Sequence, residues 1–122
     1  MNIADLLQPL SVYPVATVTA DGLGSAIDLL DYEGELAVFV AVSAGTGDMT
    51  CNINVHHADT SGGSYAAVTG SAITEVTTTA SIQKISLDSN ELKRFIKLNI
   101  DVGGTTPSFL ISAVGAAIKK TA

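Results

Sequence analysis

From Arg94 to Val102 the chain alternates cleanly between apolar and polar positions. Ile96, Leu98, Ile100 and Val102 fall on one side; Phe95, Lys97, Asn99 and Asp101 fall on the other. A period of two is the signature of a half-buried strand. Thr50 to His56 repeats the pattern, with Cys51, Ile53 and Val55 set against Asn52, Asn54 and His56. Both runs predict strands with one wet face, and Ile53, Val55, Ile96, Leu98 and Ile100 are expected to share one core. Leu36 to Ser43 is different. Leu36, Val38, Val40 and Val42 line one face, and Ala37, Phe39 and Ala41 line the other. A strand apolar on both faces is covered twice, once by the core and once by something else.

The remaining segments are shorter and more polar. Val12 to Ala20 is rich in Val and Thr, which suit a pleated surface. Ala26 to Leu30, Tyr65 to Thr69, Ala72 to Val76 and Ser108 to Ile118 also read as strands. Ser81 to Leu87 reads as one whose apolar spacing slips between Ile82 and Ile85, and a β-bulge would absorb that slip. Turn signals separate them: Asp21-Gly22, Asp31 to Gly34, Gly45 to Asp48, Gly62-Gly63, Asp88-Ser89-Asn90, and Gly103-Gly104 before Pro107. About eight or nine strands at spacings of ~8–12 residues predict an all-β fold, an antiparallel, jelly-roll-like β-sandwich over residues 15–122. Residues 1–14 stand apart. Ile3, Leu6, Leu7 and Leu10 recur at helical spacing, limited by Pro9 and Pro14. The pattern predicts a short N-terminal arm or helical turn, too short to hold a helix alone. It must cover the end of the sandwich or dock on a neighbour, so these four residues are the candidate partner-binding set.

Composition sharpens the picture of the surface. A chain of 122 residues allows one domain. Hydrophobic residues make up 47% and charged residues 15%, against about 25% charged in typical soluble domains. Mean hydropathy is +0.40. The exterior is therefore expected to be rich in Thr, Ser and Ala and partly covered by other subunits. Net charge is −6. The basic residues, Lys84, Lys93, Arg94, Lys97, Lys119 and Lys120, form no polybasic run. Nucleic acid and anionic membrane surfaces are thus not expected partners. No apolar stretch reaches the ~20 residues of a membrane span, and the N-terminal residues carry Asp5 without a basic region, so no targeting segment is read there. The single cysteine, Cys51, rules out an intrachain disulfide and is expected to be a buried, inert thiol.

Candidate chemistry is sparse. His56 and His57 are adjacent on a strand and point to opposite faces, so they do not share a metal easily, even with Asp59 nearby. Asp28, Asp31, Glu33 and Glu35 cluster at a turn, but without the spacing of a calcium loop. There is no nucleophile elbow, because Gly22 to Ala26 breaks the required spacing. There is no phosphate loop and no dinucleotide fingerprint. No enzyme activity, cofactor or metal is expected. Tyr65, just after the Gly-Gly turn, and the outward Phe95 are the aromatics placed to stack on a sugar, and the chain has no Trp.

Two stretches carry a resemblance. His57-Ala-Asp-Thr-Ser-Gly-Gly-Ser-Tyr-Ala-Ala-Val-Thr-Gly70 is followed later by Leu87-Asp88 and Leu92-Lys-Arg-Phe-Ile-Lys-Leu98. The opening Leu6-Leu7-Gln8-Pro9 with Tyr13-Pro14-Val15-Ala16-Thr17-Val18-Thr19-Ala20-Asp21, and the ending Val102-Gly-Gly-Thr-Thr-Pro-Ser-Phe109, fit the same group. Across nearly its whole length the chain resembles small structural proteins of tailed bacteriophages. The resemblance implies a virion component assembled in the host cytoplasm, best fitted to a head decoration or cement role. It implies a homo-oligomer, a trimer before a dimer, that binds the major capsid protein. A head–tail or tail component is an alternative within the same group. The same strand and turn grammar also occurs in galactose-binding-like jelly rolls, which makes a carbohydrate-binding module the other alternative.

Overall fold

The computed structural model describes residues 7–119, and these form two antiparallel sheets packed face to face. The strands are β1 (Leu7–Val18), β2 (Gly22–Leu23), β3 (Ile27–Asp28), β4 (Tyr32–Val42), β5 (Thr50–Ala58), β6 (Ala66–Ala67), β7 (Ser81–Asp88), β8 (Phe95–Gly103) and β9 (Phe109–Lys119). The first sheet has the order β1-β9-β4-β7. The second has the order β2-β8-β5-β6, with β3 also pairing β8. The all-β sandwich expected from the alternation is therefore the fold.

One core lies between the sheets. Leu36, Val38 and Val40 of β4 meet Ile53 and Val55 of β5 and Ile96, Leu98 and Ile100 of β8, all nearly inaccessible to solvent. Phe109 and Ile111 of β9 complete it. Cys51 belongs to the same core; burial and the Asp101 carboxylate push its thiol up to about 11, so it stays protonated near neutrality. The register Cys51↔Val102, Ile53↔Ile100, Val55↔Leu98 explains why both alternating runs were legible. Directly opposite residues share a face, so two in-phase alternations bury a double row.

The structure corrects the N-terminal expectation. Leu7 and Leu10 lie within β1, not in a helical turn, and residues 7–14 are the first two-thirds of a strand that pairs β9 from Leu7↔Ile118 to Val18↔Phe109. The boundary at residue 14 thus cuts through the sandwich. A helix of this length is marginal alone, whereas β9 offers a long ladder. Pro9 and Pro14 are tolerated because β1 is an edge strand. Ile3 and Leu6 lie outside the described residues, as does the end of the chain from Lys120.

Three smaller expectations also change. Ala72 to Val76 is not a strand; it follows β5 only through the Cys51↔Val76 bridge and the bond from the Ile73 N–H to the Ile53 carbonyl. Just before it, the buried Ser71 hydroxyl accepts from the Val55 N–H at 3.0 Å and donates to the Val68 carbonyl at 2.7 Å, so a side chain meets β5 at Val55 where a paired strand would offer backbone. Tyr65 to Thr69 shrinks to the two-residue β6. Ser81 to Asp88 has no bulge: β7 pairs β4 without a shift from Glu35↔Asp88 to Val42↔Ser81. The apparent slip arises because Ile82 points outward, while Gln83 takes the inward position and bonds the Thr74 backbone N–H and carbonyl at 2.8 and 2.9 Å.

Candidate docking surface

The two outer faces of the sandwich are chemically opposite. On the second sheet, Asn52, Asn54 and His56 of β5 stand opposite Asp101, Asn99 and Lys97 of β8. They form a polar ladder with internal bonds: Asn99 Nδ2 donates to Asn54 Oδ1 at 2.9 Å, and Asn52 Nδ2 to Glu75 Oε2 at 2.8 Å. This is the wet side that the alternation of β5 and β8 implied.

The outer face of the first sheet is mostly apolar, with Lys84, Ser86 and Asp88 of β7 and Glu35 of β4 along one margin. Phe39 on β4 has Ala37 and Ala41 two positions away on either side. Register puts Val114, Ala116 and Ser112 of β9 against these three residues. Leu110 and Ile118 extend the β9 row, Ile82 lies opposite Ala41 on β7, and Leu7 lies opposite Ile118 on β1. Among the described residues eight large apolar side chains are exposed. Six of them, Leu7, Val15, Phe39, Ile82, Leu110 and Val114, belong to this one face; Leu23 and Leu30 lie elsewhere. Ile82 is 78% exposed and Val15 67%. Four strands at ~4.8 Å spacing and about nine residues at ~3.4 Å give a sheet face on the order of 600 Å². Lys84, Ser86 and Asp88 of β7 and Glu35 of β4 share it, so the apolar plate is smaller and within the range that marks a contact surface on a monomer.

The plate has relief at both ends. A groove of about 430 Å³ runs between Val15, Leu110 and Ile82, floored by Ala41. A second, of about 320 Å³, lies between Leu7, Phe39 and Ile118 beside Lys84 and Glu35. Both are open and lined mainly by hydrocarbon. They suit side chains from another protein better than a small polar substrate.

The residues singled out in the sequence fall as follows. Leu7, 43% exposed, sits on the apolar plate, whereas Leu10 turns inward and packs against the core. Leu7 and Leu10 therefore do not share one helical stripe, and Ile3 and Leu6 lie outside the described residues. His56 faces outward opposite Lys97; His57 lies opposite the buried Ile96, and its Nδ1 accepts from the Lys93 N–H at 3.1 Å. Partial burial and the nearby Lys93 hold the His57 pKa below its usual value. Asp28 leaves the acidic turn to form a bidentate pair with Arg94 at 3.0 and 2.8 Å, which with the Leu30 N–H holds its carboxyl at about 2. The aromatics are partly occupied. The Lys97 ammonium sits 4.5 Å from the Tyr65 ring centroid and the Arg94 guanidinium 5.0 Å from that of Phe95, so one face of each ring is taken. Among the described residues no three of His, Cys, Asp and Glu gather as a metal site would require, and no helix is long and apolar enough to cross a membrane.

Sequence reasoning found Phe39, because β4 reads apolar on both faces. It missed Val15, Ile82, Leu110 and Val114. Their signal is present as apolar residues out of phase with the inward row, but only the strand order shows that they share a face.

No protein-family model matches the chain, and no curated protein does. Solved structures do share its fold. The SPBc2 prophage-derived protein YomS matches with a TM-score of 0.58 at 12% identity, over 93% of each chain. A protein in the T13 viral particle of infectious bursal disease virus matches with 0.56 at 15% identity, and one in the Gt strain of that virus with 0.53 at 15%. Each covers 93% of this chain, which spans only 31% and 32% of those two longer viral proteins. At such identities the likeness is one of fold: a two-sheet sandwich that stands alone in YomS and recurs as one part of the larger viral chains.

Proposed function

We propose that this chain is a non-enzymatic structural component of a bacteriophage virion, a head decoration or cement protein that binds the major capsid shell as a homo-oligomer. The observation that carries this reading is the apolar outer face of the first sheet. A rigid, charge-poor sandwich with six large apolar side chains exposed on one side is built to be covered. Its other face is a closed polar ladder suited to water. Such a division lets the protein stay soluble with one side free and gain stability on assembly through the other. The fold shared with a prophage-derived protein over its whole length, and with proteins of virus particles over part of theirs, supports the same reading. So does the phage-like sequence grammar. The role needs no cofactor and no metal. The resemblance favours three copies over two, and sedimentation velocity counts them.

The test is immunoelectron microscopy of virus particles induced from the source strain, using an antibody raised against this chain. Regular label over the head is the expected result. Label confined to the tail or neck would move the protein to another virion part, and bare particles would overturn the reading.

A further inference from the structure

The four sheet edges differ sharply. On the first sheet, β1 carries Pro9 and Pro14, and its register with β9 shifts twice, between Ser11 and Tyr13 and between Tyr13 and Ala16. On the second sheet, the edges are the two-residue β2, β3 and β6, with an irregular segment from Val68 to Val76 beyond. Short strands, prolines and bulges are the devices that stop an edge from pairing. Strand β7 has none of these three; of the remaining device, an edge charge, it carries Lys84 and Asp88. It is eight residues long, free of Pro and Gly, in unbroken register with β4 on one side. Among the described residues, no further backbone bond reaches it on the other.

We infer that β7 is the interface between two copies of this chain, pairing antiparallel with itself about a two-fold axis at Ser86 so that the first sheets of both copies join into one eight-stranded sheet. The proposal rests on the assembly read above for the need of a second copy and takes two copies rather than the three that the resemblance ranks first, because a two-fold contact closes on itself; the interface and its register come from the edge itself.

Charge and side-chain parity select the register. A two-fold axis perpendicular to the sheet keeps outward residues opposite outward residues, so only three central pairings need weighing. Centring on Lys84 sets that ammonium against its own copy. Centring on Ile85 sets inward Leu87 against Gln83 and outward Ile82 against Asp88. Centring on Ser86 sets Ile85 against Leu87 on the inner side and Lys84 against Asp88, twice, on the outer side. The last arrangement also answers a local imbalance. Glu35 and Asp88 face each other across β4 and β7, and with Glu91 they line a hollow of about 270 Å³. Among the described residues the only ion pair is the one between Arg94 and Asp28, so these carboxylates have no cation. Lys84 of the second copy would enter that hollow. Pairing also brings the two apolar plates side by side, doubling the surface presented to a shell.

Replacing Ser86 by Cys tests the register directly. Directly opposite residues in an antiparallel pair lie about 4.5–5.5 Å apart at Cα, within disulfide range. The buried Cys51 does not compete. Under mild oxidation Ser86→Cys should run as a covalent dimer on a non-reducing gel, while Thr17→Cys on the guarded β1 edge stays monomeric. Lys84→Glu, measured by sedimentation without oxidation, should weaken the dimer at least tenfold. A chain that remains monomeric at every concentration overturns the proposal and makes Lys84 a guard against pairing. A dimer that neither cross-links at residue 86 nor responds to Lys84→Glu overturns it as well, and places the contact on the apolar plate. Particle labelling is read separately, so a labelled monomer sinks this interface and the homo-oligomer but leaves the virion location standing, while an unlabelled dimer keeps the interface and sinks the virion location.

Discussion

At the scale of single residues, the fold is held by close fits that no periodicity announces. Gly45 is fully enclosed where the chain leaves β4. A Cβ there would lie 2.5 Å from the Thr77 carbonyl oxygen and 2.9 Å from the ring of Phe109, which has no room to move in the core. Gly45→Ala is therefore expected to cost about 1–3 kcal/mol in urea unfolding, as other overpacked sites do. Leu98, wholly buried, sits where the sequence placed it. Leu98→Ala should cost about 2–5 kcal/mol, and Leu98→Asp, an unpaired buried charge, should leave no folded protein. Electrostatics at this scale is legible only after folding, because Asp28 and Arg94 lie 66 residues apart. The Asp28 carboxyl is held at about 2 in the folded chain against its ordinary value of 3.8. Its stabilising effect is thus complete above pH 3.8 and is lost as pH falls towards 2. Asp28→Asn should flatten that part of the acid unfolding curve. The His57 pKa is also depressed, so folding favours the neutral ring. Its contribution is present above the ordinary histidine range and fades as pH drops below it.

At the scale of elements, what was readable depended on whether a strand's two faces differ. β5 and β8 alternate in composition as they alternate in burial, so both emerged with their core residues correctly assigned. β1 did not. Leu7 faces the apolar plate and Leu10 faces the core, so both sides of the strand carry leucine, and the spacing reads as helical. β7 misled for a related reason: Ile82 and Ile85 face opposite sides, and Gln83 stands inward to bond Thr74. The segment from Ala72 to Val76 carries strand-like residues, but it follows β5 only at Ile53 and Cys51, and the Ser71 hydroxyl takes the ladder position at Val55. The altered reading of β1 changes what truncation should do. Removing residues 1–10 takes away the pairing of Leu7 to Leu10 with Gly115 to Ile118 and the packing of Leu10 on the core. Full burial of a leucine contributes about 1.5–3 kcal/mol, and Leu10 is partly buried, so the truncated protein should lose about 1 kcal/mol from it and more from the lost pairing. The measurement is the urea midpoint. Truncated protein as stable as the full chain would show that the core closes without this end of β1.

At the scale of the whole molecule, a charge-poor composition resolves into two faces of opposite character. The excess of apolar residues over what one core needs was legible from the start. Its location was not, because Val15, Ile82, Leu110 and Val114 come from three strands that only the order β1-β9-β4-β7 brings together. If this plate is the surface that meets the shell, charge placed on it should separate docking from folding. Phe39 and Val114 are opposite one another at its centre and are 44% and 53% exposed. Replacing Phe39 by Thr and Val114 by Lys leaves the buried row of β4 and β9 untouched and sets no like charges opposite one another, so stability should change by about 1 kcal/mol per site. Binding should fall far more. Each large apolar side chain covered on docking contributes about 1.5–3 kcal/mol, and an ammonium driven against the shell adds a desolvation cost. A dimer formed through the β7 edge does not use these residues and should survive. The expected protein is therefore folded, still self-associated, and absent from particles when its occupancy is compared with wild type at equal concentration. Undiminished occupancy would mean that the plate faces water in the virion and that the polar ladder or the edge makes the contact instead.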